Sequence, residues 1–112
     1  MLVLPLKIKI GMPKIYEYLG LIFFFYSQEH LPIHVHVKYG EYESKIELIY
    51  QDAQLEKMIF KKVTGKLPIP VSKRKEIKVF VNQYHEGIVK KWTEYFVYNK
   101  KPENERVTKK IK

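Results

Sequence analysis

The residues from 33 to 48 place the strongest constraint on the fold, because two alternating runs flank a single glycine. Apolar and polar residues alternate from Ile33 to Tyr39, with the two-residue period of a half-buried strand. Gly40, at the first central position of a tight turn, favours a type II′ hairpin that pairs Tyr39 with Tyr42. The further predicted pairs are Lys38–Glu43, His36–Lys45, Val35–Ile46, His34–Glu47 and Ile33–Leu48. Apolar pairs share one face and polar pairs the other, so burial specifies this register.

Three of the four histidines lie within one short segment, at positions 30, 34 and 36. The alternation sends His34 and His36 to the face that it predicts to be exposed, with Glu47 opposite His34. Imidazole and carboxylate groups are ligands for zinc and other divalent first-row metals. His30, His34, His36 and Glu47 are therefore a candidate metal site. A general base and a structural or partner-binding cluster are the alternatives, and the sequence leaves them open.

Patterns elsewhere predict the elements that surround the hairpin. An apolar run at residues 21–26 predicts a buried strand, residues 51–54 a second turn and residues 55–63 a further strand. A helix is predicted from Ser72, its expected N-cap, to about Tyr98. Its apolar stripe consists of Ile77, Val81, Tyr84, Ile88, Trp92 and Tyr95. Gly87 interrupts this helix at a cost of about 1 kcal/mol relative to alanine, and the sequence offers no packing reason for it.

These elements predict one α+β domain at residues 12–98, an antiparallel sheet of three to four strands covered on one face by a long C-terminal helix. Residues 1–11 are interpreted as an N-terminal extension and residues 99–112 as a basic C-terminal tail, since Pro102 cannot continue a helix. Neither a signal peptide nor an apolar run of about 20 residues is present, so we expect a cytoplasmic protein without a membrane partner. The chain has no cysteine, which excludes disulfides, thiolate metal sites and a cysteine nucleophile.

The charge balance favours acidic partners. The chain has 21 Lys and Arg against 12 Asp and Glu, a net charge of +9. Such an excess favours nucleic acid or an acidic protein. Only Arg74 and Arg106 are arginine, which weakens specific base readout more than general phosphate binding. The candidate contacts for nucleic acid or a partner are Lys38, Lys45, Lys100, Lys101, Arg106, Lys109 and Lys110.

The histidine segment also carries a family resemblance. Met12-Pro13, then Phe24-Phe25-Tyr26, Glu29-His30-Leu31-Pro32-Ile33-His34-Val35-His36 and Tyr39-Gly40-Glu41-Tyr42 resemble the bacterial domain-of-unknown-function family numbered 4160. Gly65-Lys66-Leu67-Pro68, Trp92 and Lys109-Lys110-Ile111 are similar to later parts of its pattern. Ile33 departs from that pattern, which more often has a second proline there.

That resemblance implies a small bacterial α+β domain. It supports the importance of His30, His34 and His36 without assigning them a role. Proteins like this are often encoded beside another small protein, an arrangement that suggests toxin–antitoxin pairs.

The leading functional hypothesis is a non-enzymatic module of a toxin–antitoxin-like system. It would bind a small protein encoded by a neighbouring gene and, through its basic residues, nucleic acid. The alternative is a small metal-dependent hydrolase that uses the histidine cluster, and whether the chain is an enzyme stays open. If His34 lies on an exposed strand face, as expected, then replacing it by alanine should leave the fold intact, because an exposed position contributes little packing energy.

Overall fold

The fold is one mixed sheet with a long helix on one face. The computed structural model describes residues 12–27 and 32–112. The elements are β1 (Lys14–Tyr18), β2 (Leu21–Phe24), β3 (His34–Tyr39), β4 (Tyr42–Gln51), β5 (Gln54–Lys62), α1 (Val71–Phe96) and β6 (Glu105–Val107). The sheet order is β5-β4-β3-β2-β1-β6. β6 lies parallel to β1, and the other neighbouring strands are antiparallel. The predicted α+β class is confirmed, but the sheet that the described residues form has six strands and is mixed rather than three- to four-stranded and antiparallel.

The central β3–β4 hairpin has the predicted register. The strands pair from Tyr39–Tyr42 at the turn to His34–Glu47, and the Leu48 N–H donates to the Ile33 carbonyl over 3.0 Å. Gly40 has a φ of 59°, the left-handed value that the first central position of a type II′ turn requires. Local turn chemistry and alternation were therefore sufficient to predict this hairpin.

The strands that the pattern did not predict are β1 and β6. β1 covers five residues and β6 only three, and such short segments show no readable period. The segment predicted as a basic tail thus contributes a strand, which pairs with β1. The helix before this segment ends at Phe96, two residues earlier than the predicted end at Tyr98. Pro70, not Ser72, occupies the N-cap, and no side chain caps the helix there.

The core lies between α1 and one face of the sheet. The predicted stripe packs inward, with Tyr84 half-buried at its margin and its other five members buried. Phe80, which lies outside that stripe in the prediction, is fully buried. Its ring stacks on Phe23 at 4.6 Å and on Tyr84 at 4.6 Å between centroids. The aromatic contacts of Phe80 therefore join α1 to the middle of the sheet.

Gly87 lies where α1 packs against Tyr16 of β1. A Cβ added there would overlap the hydroxyl of Tyr16. Tyr16 is buried and packs edge-on against Phe80 at 5.3 Å, so its ring has little room to move. The close approach of helix and strand thus supplies the packing reason for this glycine that the sequence did not.

We expect Gly87→Ala to destabilise the protein by about 1–3 kcal/mol through overpacking against Tyr16. In an exposed helix the same change would stabilise by about 1 kcal/mol. Urea unfolding measures the free energy, and Tyr16→Phe provides the control background because it removes the overlapping hydroxyl. An equal stabilisation by alanine in both backgrounds would contradict the close approach.

Candidate functional site

The candidate site lies on the face of the sheet that points away from α1, called here the histidine face. The register places His36 beside Phe24 on β2 and Lys45 on β4. The described residues of this face that form the site are Phe24, Tyr26, His34, His36, Lys38, Glu43, Lys45 and Glu47. Residues two apart on a strand share a face, so β3 contributes both histidines.

The histidine face is not exposed as predicted. His34 and His36 are each 1% exposed. Glu43 and Glu47 are 4% and 8% exposed. Alternation predicted correctly which residues share the face, but it carries no information about what covers that face. The solvent-exposed position expected for His34 and His36 is therefore wrong.

His36 belongs to a small polar network. The Glu43 carboxylate accepts from the Tyr26 hydroxyl at 2.8 Å and lies 3.2 Å from His36 Nδ1, in both cases through Oε2. The ring of Tyr26 packs edge-on against His36 at 4.4 Å. Because a carboxylate only accepts, His36 Nδ1 carries a proton, and the neutral ring has its lone pair on Nε2.

His34 has the same tautomer for a different reason. Its Nδ1 lies 2.7 Å from the Pro32 carbonyl oxygen, which can only accept, so Nδ1 donates. The rings of His34 and His36 are 5.4 Å apart and nearly perpendicular. The two contacts fix the orientation of both imidazoles, as a carboxylate or carbonyl does for histidines that act as bases or ligands.

The predicted metal ligands are brought together only in part. Glu47 is opposite His34 in register, but its carboxylate oxygens face Lys45 at 4.0 Å and Lys61 at 3.7 Å. His30 lies outside the described residues. Among residues 12–27 and 32–112, no three His, Asp or Glu side chains are arranged to hold a metal ion. The geometry within this part of the chain therefore offers an oriented histidine pair.

The seven predicted contact residues are divided between two regions. Lys38 and Lys45 are half-buried on neighbouring strands of the histidine face, where Lys38 Nζ lies 5.9 Å from the Phe24 ring centroid. The other five are exposed and lie close to β6 in the chain: Lys100, Lys101, Arg106, Lys109 and Lys110. Arg106 also faces the Glu17 carboxylate at 3.6 Å. The most accessible positive charge of this set is therefore at the β6 edge.

A buried lysine forms a second polar cluster, which the sequence analysis missed. Lys91 on α1 is 6% exposed. Its Nζ donates to the Glu103 carbonyl at 2.8 Å, forms an ion pair with Glu105 at 2.7 Å and lies 5.0 Å from the Tyr16 ring centroid. Burial, and then the charge of Glu105, raises the pKa of Tyr16 to about 12. The sequence did contain a signal for this cluster, because Lys91 lies between Ile88 and Trp92 on the apolar stripe, where a charged residue needs an internal partner.

Two further hydrogen bonds, together with the contacts of Lys91, hold the β6 segment against the domain. Asn104 donates to the Glu17 carboxylate at 2.6 Å, and this hydrogen bond lowers the pKa of Glu17. The Ile111 N–H donates to the Tyr18 hydroxyl at 3.0 Å. A cleft of about 470 Å³ beside the cluster is lined by Tyr16, Gly87, Lys90, Lys91, Glu94, Lys100, Lys101, Glu103 and Glu105. Lys91 and Glu105, which form an ion pair, both line this cleft, so we interpret the cleft as a structural junction between α1 and the β6 segment.

Comparison with known proteins identifies a family. The model of the Domain of unknown function (DUF4160) matches residues 20–93, about two-thirds of the chain. The match runs from β2 into α1 and includes His34 and His36, which confirms the resemblance seen in the sequence. No curated protein and no solved structure matches the chain. In the described part of the chain, no helix has the length and apolar character needed to cross a bilayer.

We expect Glu43→Ala to destabilise the protein by about 1–3 kcal/mol, because it leaves His36 Nδ1 and the Tyr26 hydroxyl without their buried acceptor. Glu41→Ala is the matched control, since Glu41 is an exposed residue of the same hairpin. Chemical denaturation of both variants measures the difference. Equal stability of the two variants would rule out the buried network.

Proposed function

The chain belongs to the family of the Domain of unknown function (DUF4160), and from this premise we propose that it is a non-enzymatic, cytoplasmic module of a bacterial toxin–antitoxin-like pair. It binds the small protein encoded by the neighbouring gene. Nucleic acid is a second, weaker partner, held through exposed lysines.

The observation that supports a binding role is that the two histidines are buried whereas many lysines are exposed. The side chains most suited to catalysis, His34 and His36, are 1% exposed and hydrogen-bonded to Pro32 and Glu43. The surface instead presents lysines from a chain with a net charge of +9. Recognition of an acidic surface needs charge that the partner can reach, whereas catalysis needs a reactive group that the substrate can reach.

We expect the protein to co-purify with the neighbouring gene product when the two are expressed together, and to form a complex of defined mass in size-exclusion chromatography with light scattering. Complementary charge should give association that slows as salt rises. Isothermal titration calorimetry of the separately purified proteins measures the affinity. Failure of the two proteins to associate at low salt would refute this function.

Binding to nucleic acid is tested with a labelled DNA duplex of random sequence. Substituting alanine for Lys100, Lys101, Lys109 and Lys110 should reduce the dependence of log affinity on log salt by up to about 4. An unchanged slope would remove these lysines as the contact surface.

A metal-dependent hydrolase is the second candidate, and the histidine tautomers favour it. Both Nδ1 atoms donate within the protein, so both neutral rings have the lone pair on Nε2, the atom that would bind a metal. The rings are 5.4 Å apart. His30 and Glu47 complete the ligand set in this alternative, and the metal would polarise a phosphate or activate a water.

The hydrolase alternative predicts near-stoichiometric zinc in untagged protein, measured by elemental mass spectrometry. The metal should be absent from a His34→Gln/His36→Gln variant. Glutamine is used because both side chains are buried, where alanine would leave a cavity and destabilise the fold. His85→Gln is the matched control, since His85 lies on α1 and pairs with the Tyr50 hydroxyl at 2.7 Å. Metal-free wild-type protein would eliminate this candidate.

A further inference from the structure

β5 is the long edge strand of the sheet that the described residues form. β5 spans Gln54–Lys62 and pairs with β4 along its length. Among residues 12–27 and 32–112, no strand pairs with its other side. The opposite edge strand, β6, has only three residues. An unpaired strand of this length presents backbone donors and acceptors to which another strand can bind.

The hydrogen-bond pattern identifies which backbone groups of β5 point outward. The Leu48 N–H donates to Ile33 beside β3. Successive residues of an antiparallel strand direct their backbone groups to opposite neighbours, so those of Glu47 point to β5. Glu47 pairs with Ile59, and the backbone groups of Ile59 therefore point back to β4. The residues of β5 with outward-pointing N–H and C=O groups are then Met58, Phe60 and Lys62.

β5 is regular over most of its length. The register shift in its pairing lies between Ile49 and Tyr50, next to the turn. Residues 57–62 pair one-to-one with residues 44–49 and extend for about 20 Å. No proline or glycine interrupts them. Of the features that usually protect an edge strand, this stretch has only lysines.

Positive charge surrounds the open edge on both faces of the sheet. Lys57 and Lys61 lie on the histidine face, and Lys62 lies on the helix face, all three exposed. From α1, Arg74 lies over the Phe60 ring at 5.2 Å and Lys78 at 5.9 Å. Glu56 is the single acidic residue of β5. This charge favours an acidic strand and opposes a second copy, since symmetric pairing about Ile59 would place Lys57 opposite Lys61.

We propose that the edge of β5 binds an extended acidic segment of the partner protein, which joins the sheet as a further strand. This inference rests on the proposed function, because the occupant is the neighbouring gene product. Outward backbone groups provide the pairing, the lysines select acidic side chains, and the half-buried Met58 and Ile59 offer apolar contacts between them.

Charge reversal tests the selectivity of this edge. Lys57→Glu/Lys62→Glu should weaken the affinity for the purified neighbouring gene product by about tenfold or more. Lys14→Glu/Lys112→Glu is the control, because it makes the same change in net charge at two exposed lysines outside the candidate contact set, one on β1 and one after β6. β1 and β5 are separated by four strand spacings, about 19 Å. The control should lose less than about threefold, as expected for a screened long-range effect.

Amide hydrogen exchange by NMR tests strand addition directly. In the free protein, the N–H groups of Met58, Phe60 and Lys62 should exchange faster than those of Lys57, Ile59 and Lys61. In the complex, the first set should become protected. This readout separates strand pairing from a contact made only by lysine side chains, which would leave the outward amides exchanging freely.

Each outcome decides the proposal. Protection of the outward amides together with selective loss of affinity in the Lys57/Lys62 variant would support it. A complex that forms equally well with both variants and leaves these amides unprotected would overturn the β5 site and leave the proposed function standing. If the neighbouring gene product does not bind at all, the proposed function fails first. Outward amides already protected in the free protein would show that a second copy, in a dimer, or the chain itself occupies the edge, which also overturns the proposal.

Discussion

Burial of β3 on both faces is the constraint on which the rest of the structure depends. Val35 and Val37 are fully buried towards α1, and His34 and His36 are almost as completely buried on the other side. Strands covered on both faces are usually apolar throughout. β3 instead alternates apolar residues with imidazoles, and each buried imidazole must have its hydrogen bonds satisfied because an unpaired polar group in a core is costly. The positions of Pro32 and Glu43 follow from that requirement.

The same requirement organises the charge of the molecule. Glu43 and Glu47 are buried on the histidine face and contact His36, Lys45 and Lys61 there. Two of the chain's 12 acidic residues are thus used in internal contacts, and its 21 Lys and Arg leave an excess of positive charge. This arrangement relates the core to the proposed recognition: the carboxylates support the sheet, and the lysines flank its open edge. Binding of an acidic strand would balance that surface charge locally.

The elements that were predicted depend on contacts between residues close in the sequence, whereas those that were missed depend on contacts between distant segments. The β3–β4 hairpin was predicted pair by pair because its turn glycine and its alternation are local. The α1 stripe was predicted for the same reason. β6 could not be predicted, because its three residues form a strand only when contacts of Lys91, Glu17 and Tyr18 hold the segment beside β1. That His34, His36 and Glu47 share one face was predicted, but the exposure of that face was predicted wrongly.

The sequence by itself determined which residues face each other across the central hairpin, which side of α1 packs inward, and which histidines share a face. Each of these follows from a period or a turn within a short stretch of chain. Only the tertiary structure decided that the histidine face is buried, that Lys91 is an internal ion-pair partner and that Gly87 must lack a side chain. Those properties depend on what packs against a surface, and residues distant in the chain supply that contact.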